Sequence, residues 1–125
     1  MTYTPTPEQR EAWDATLAWL DAGGESAPGP LAPLGFNMNQ SWHGFEPYNH
    51  EPPKCGSTAC IGGFIQAWRW LIKGHDQARL EPFAISAGEW LGMSYNQVRD
   101  LFYDWDTGDP HEAARRIREF LGDPT

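Results

Sequence analysis

Apolar positions recur at three- and four-residue spacing in five stretches of the chain, each bracketed by helix start and stop residues. Thr6 is placed as an N-cap, Pro7 as the first helical residue and Gln9 as the reciprocal partner of a capping box. Trp13, Leu17 and Leu20 then share one face, flanked by Ala12 and Trp19, until Gly23 and Gly24 end the helix. A second helix is expected from about Ser57 to Lys73. Ile61, Phe64, Ile65, Trp68, Leu71 and Ile72 form its stripe, widened by Cys60 and Ala67, and Gly74 stops it. It is the most apolar of the helices and the natural centre of the core. A third covers about Pro82 to Leu91, with Gly92 as its stop. Ser94 and Gln97 repeat the capping box and open a fourth helix, with Val98, Leu101, Phe102 and Trp105 inward. Asp109 caps the fifth, Pro110 opens it and Glu112 completes its box. Ala113, Ile117, Phe120 and Leu121 make the apolar face, and Gly122 and Pro124 close it.

The intervening stretches read differently. Residues 24–35 are a Pro/Gly-rich loop. Phe36, Met38 and Trp42 fall on alternate positions, which predicts one short extended segment. No second strand pattern follows, so a sheet is not expected. Pro47, Pro52 and Pro53 keep residues 43–54 out of a helix interior. The expected fold is mainly α: a compact bundle of about five helices with one short extended segment, in a single domain over residues 1–125.

Composition adds a surplus of aromatics and a deficit of positive charge. Seven Trp, six Phe and four Tyr supply large surfaces for a small core. The formal net charge of -8 repels phosphate backbones and anionic membranes unless the nine Lys and Arg gather on one face. Only Arg115, Arg116 and Arg118 cluster. No apolar run approaches the roughly 20 residues of a membrane span, and the start of the chain lacks a signal-peptide pattern. The expected compartment is the cytoplasm, where cysteines stay reduced.

The segment Cys55-Gly56-Ser57-Thr58-Ala59-Cys60-Ile61-Gly62-Gly63 is where chemistry is first sought. A thiol at a helix start meets unpaired N–H groups and the helix dipole, which lower its pKa; His43 or His50 would be its base. The competing reading is two small residues fitted at a tight loop-to-helix junction. A Cys55–Cys60 bridge is disfavoured, because five helical steps point the side chains about 140° apart. His43, His50, Cys55 and Cys60 are zinc-competent, but they lack the compact Cys-x₂-Cys or His-x₃-His pairs of structural sites. Gly62 and Gly63 lower helix propensity by about 1 kcal/mol each and so call for a close neighbour, with Trp42 or Phe36 as candidates. Cys55, Gly56, Ser57, Cys60, Gly62 and Gly63 are thus read as a structural motif.

Three further constellations are candidates for function. Residues 80–105 carry helix-turn-helix punctuation around Leu91-Gly92-Met93-Ser94, with Val98 turned inward. A nucleic-acid reader needs basic or amide groups on the outer face. Asn96, Gln97 and Arg99 are offset there by Asp100 and Asp104, so a packed helical hairpin is the alternative. Asp104, Asp106 and Asp109 fail the calcium-loop pattern at positions 108, 109 and 115. No phosphate loop, nucleophile elbow or metalloprotease motif occurs, so neither an enzyme nor a cofactor is indicated. Trp42, Phe45, Tyr48, Trp70 and Trp105, together with Asp104 and Asp106, remain as a candidate aromatic and acidic contact patch. The alternative is that loops 24–54 fold over these rings.

Through Cys55–Gly63 the chain resembles a group of small bacterial and phage-borne proteins with a Cys-Gly-Thr-x-x-Cys-Ile-x-Gly helix start. The likeness extends through Leu91-Gly92-Met93, Leu101-Phe102 and Ala113-Ala114-x-x-Ile117, over roughly residues 36–121. Ser57 replaces the usual Thr and keeps a hydroxyl. The resemblance implies a bacterial or phage setting and no activity. The function expected is a non-enzymatic, acidic, cytoplasmic protein-binding module, such as a phage-borne inhibitor of a host or defence protein. Nucleic-acid binding through residues 80–105, and a thiol or metal site at Cys55 and Cys60, are the alternatives.

Overall fold

The capping residues set where helices begin. In the computed structural model, which describes residues 3–25, 27, 29–37, 42–43, 53, 57–74, 83–103 and 109–123, helix α1 spans Pro7–Asp21. The Thr6 hydroxyl accepts the Gln9 N–H at 3.3 Å, and the Gln9 side-chain oxygen accepts the Thr6 N–H at 2.8 Å. Helix α4 (Tyr95–Val98) opens with the same reciprocal pair between Ser94 and Gln97, at 3.2 and 2.8 Å, and runs into a π turn, Arg99–Tyr103. Helix α5 (Pro110–Leu121) starts with the Asp109 carboxylate accepting the His111 N–H at 2.9 Å. The Glu112 carboxylate engages Arg115 and Arg116. Helix α3 spans Phe83–Trp90. The protein is mainly helical, as its periodicity implies.

The second helix departs from the sequence reading at its start. Helix α2 runs from Ile61 to Leu71, four residues later than expected, with Cys60 as N-cap. Thr58–Ala59 is instead a strand, β3. Strand β1 (Gly35–Phe36) lies parallel to it and strand β2 (Trp42–His43) antiparallel, in the order β1-β3-β2. Ser57 O accepts from Gly35 N–H at 2.8 Å and Ala59 O from Asn37 N–H at 2.9 Å. The expected extended segment is thus present at both its ends, and a small sheet forms that was not expected. The reason is physical: strands this short carry no period of their own, and it is the pairing with β3 that satisfies their backbone groups.

Helix α2 packs against α1, α3 and β3, and α1 packs against α5. Every residue from Ile61 to Trp70 is buried. Trp19 of α1 stacks on Phe64 of α2 at 4.3 Å between ring centroids, meets Phe36 edge-on at 5.6 Å, and donates its indole N–H to Leu34 O at 2.8 Å. Leu31 and Leu34 from the loop are fully buried beside these rings. Part of the Pro/Gly-rich stretch is therefore core.

Candidate interaction surface

The α3–α4 hairpin is built for a tight crossing. Gly88 of α3 faces Val98 of α4: a Cβ at position 88 would lie 2.3 Å from Val98 Cγ2. Only a residue without a side chain permits that approach. Gly92, at φ +75°, supplies the left-handed step that ends α3, and Met93, Val98 and Leu101 turn inward. The described part of residues 80–105 is a helical hairpin whose second helix is a single turn followed by a π turn. Its outer side presents Ser94, Tyr95, Asn96, Arg99 and Asp100. Tyr95 is 77% exposed, against 36% for Ile72, the other exposed large apolar residue among those described. The helical period places Tyr95 three positions before Val98 and so on its inward side.

The charges around the hairpin are internally balanced. Arg99 pairs with Asp100 at 3.4 Å, Arg10 with Asp14 at 3.0 Å and also with Asp123, and Lys73 with Glu11 at 2.6 Å. Arg115 is held by Glu112 and Glu119, Arg116 lies 3.5 Å from Glu112, and Arg118 meets Asp21. These contacts depress Glu112, Asp21 and Asp123 below the ordinary carboxylate range, through hydrogen bonds from Arg115, Arg118 and Arg10 respectively. Arg69 is buried, donating to the Gln66 side chain at 2.6 Å with its guanidinium 4.8 Å from the Trp90 ring centre. Each described cation therefore faces a carboxylate or lies inside the protein, and no basic strip forms among the described residues. Gln97, Asp100 and Leu101 also line one wall of an open cleft of about 420 Å³, with Arg115, Arg116, Glu119 and Phe120 opposite.

The Cys60 end of the motif is a junction. The Cys60 thiol is free, 8% exposed, and accepts the Gly63 N–H at 3.3 Å. Burial pushes its pKa up, outweighing the hydrogen bonds from Gly63 and Gly62. Ser57, Gly62 and Gly63 are buried around it. Among the described residues no group of three His, Cys, Asp or Glu side chains converges on a metal-sized site.

Several expected site residues lie outside the described part: Phe45, Tyr48, His50, Cys55, Gly56, Asp104, Trp105 and Asp106, and the side chains of Trp42 and His43. Trp70 requires a correction. It is 2% exposed, because α2 is covered on all sides, and does not belong to a surface patch. No protein-family model, curated protein or solved structure matches the chain.

Proposed function

We propose that this protein is a small, acidic, non-enzymatic binding module whose contact surface is the outer side of α4, centred on Tyr95. The observation that carries this reading is the 77% exposure of Tyr95 on a helix whose backbone is locked by a capping box. A rigid aromatic with a polar tip and few rotatable bonds is the side chain most often found as a binding anchor. The net charge of -8 suits a basic protein partner. The family resemblance fits a bacterial or phage cytoplasm, where inhibition of a host or defence protein is one role such a module would fill.

The test is affinity capture from a bacterial lysate with the wild type and Tyr95→Ala side by side. A captured protein lost with Tyr95→Ala, and weakened by salt, is the expected result. Identical captured sets would sink the reading. The helical hairpin with the exposed Asn96 and Arg99 supports a second reading, nucleic-acid binding. Against it stands the neutralisation of the described cations, which leaves few free charges for phosphates. A low-salt gel shift with mixed-sequence duplex separates the two: no shift is expected, and a salt-sensitive shift would favour the second reading.

A further inference from the structure

The carbonyl end of α3 is satisfied in an unusual way. A helix leaves its last carbonyls without intrahelical partners. Here the chain itself closes three of them: Ala87 O accepts from Leu91 N–H at 3.0 Å, Gly88 O from Met93 N–H at 2.9 Å and Glu89 O from Gly92 N–H at 3.0 Å. The next two carbonyls are taken by side chains from the N-terminal part of the chain. Gln9 Nε2 donates to Trp90 O at 2.8 Å, and the Tyr3 hydroxyl donates to Leu91 O at 2.6 Å. Both donors are themselves held in place. Gln9 is fixed by its capping box with Thr6. The Tyr3 oxygen accepts the Trp13 indole N–H at 3.0 Å, and its ring stacks on Phe120 of α5 at 4.7 Å.

We propose that the N-terminal segment is a latch for α4. Helix α3 rests broadly on α2, whereas the main neighbours of α4 are α3 and the π turn that continues it. The position of α4 against the rest of the protein thus rests on Val98, its buried residue, and on the α3–α4 turn, whose start Tyr3 and Gln9 pin. With the latch closed, Tyr95 is presented on a fixed helix. With it released, the turn and α4 open as a local unit while α1, α2 and α5 stay folded. By linkage, anything that binds the closed position of α4 tightens the hold on Tyr3, and anything that withdraws Tyr3 weakens that binding.

Amide hydrogen exchange on the free protein tests this without any partner, so its outcome is independent of the proposed function. Tyr3→Phe keeps the ring and removes both the donor to Leu91 O and the acceptor of the Trp13 N–H, so Gln9→Glu, which leaves Trp13 paired, is the control for effects through α1. Exchange at Gly92, Met93 and Val98 is expected to quicken by roughly tenfold or more, while Phe64 and Ile72 in and beside α2 stay near wild-type rates. Gln9→Glu preserves the oxygen acceptor of the capping box but removes the donor to Trp90 O, and should give the same pattern at smaller size. Uniform acceleration at all five amides would reduce Tyr3 to a general stabiliser and overturn the latch. Unchanged exchange at the turn would also overturn it. Should Tyr3→Phe fail to fold, Gln9→Glu decides alone by the same criteria.

Discussion

Helices α2 and α5 are nearly equal in length, 11 and 12 residues, and opposite in how they are held. All of α2 from Ile61 to Trp70 is buried, and its attachment is mainly apolar contact, with Gln66 and Arg69 enclosed as a hydrogen-bonded pair. Helix α5 buries Ala113, Ala114 and Ile117, packs Phe120 and Leu121 beside them, and carries charges over the rest. Two arginine–aspartate contacts tie its end region to α1: Arg118 with Asp21, and Arg10 with Asp123 just past Gly122. The contrast separates two kinds of stability within one small protein. The centre should answer to changes in packing volume and ignore salt and acid. The α1–α5 seam should answer to all three.

The largest effect is expected from emptying the centre. Phe64→Ala removes the ring stacked on Trp19 and should destabilise the protein by about 3–5 kcal/mol in urea unfolding. A loss below about 1 kcal/mol would mean that α2 is not the centre. Next is overfilling the hairpin. Gly88→Ala gains about 1 kcal/mol of helix propensity but forces a methyl onto Val98, a strain of about 1–3 kcal/mol. Net destabilisation is expected, and its reversal in the double variant with Val98→Ala, measured as a double-mutant cycle, would locate the clash.

Smaller effects test the seam. Arg118→Met removes a partly exposed pair, so the loss should be no more than about 1 kcal/mol and should vanish in high salt. A loss that persists in salt would show that the guanidinium contributes more than a screened surface pair. The pH dependence has a defined sign. Asp21 and Asp123 have folded pKa values below their unfolded ones, because Arg118 and Arg10 donate to the carboxylates. Their contribution is therefore complete above the unfolded value of about 3.9 and is lost as pH falls through the depressed folded values. Below about pH 4, exchange at α5 amides should quicken before exchange at α2 amides. Equal sensitivity in both helices would erase the distinction.

Much of this fold is legible along the chain because helix signals are local. The reciprocal bonds at Thr6–Gln9 and Ser94–Gln97 form as spaced, and Gly23, Gly92 and Gly122 follow the helices that their positions suggest. The inward stripes of α1 and α5 also read correctly. The start of α2 was misread because Thr58 and Ala59 fit a helix as well as a strand. What decides is pairing with residues 35–36 and 42–43, which lie well before them in the chain. Trp70 was misread because a period identifies one face, and α2 is covered on all of them. Tyr95 is the converse case: its position three before Val98 matches the inward stripe, yet it is 77% exposed.

The amino-acid sequence by itself determined the helical class, the caps of α1, α4 and α5, the stops and an acidic charge balance. Each depends on residues within a few positions of one another, or on a simple sum. Tertiary structure alone decided the β3 pairings, the sealing of Cys60 and Trp70, the placement of Arg10 against Asp123, and the reach of Tyr3 to Leu91 O. Those contacts join residues far apart in the chain. Their partners are chosen by how the helices pack, and no local pattern of residues encodes that choice.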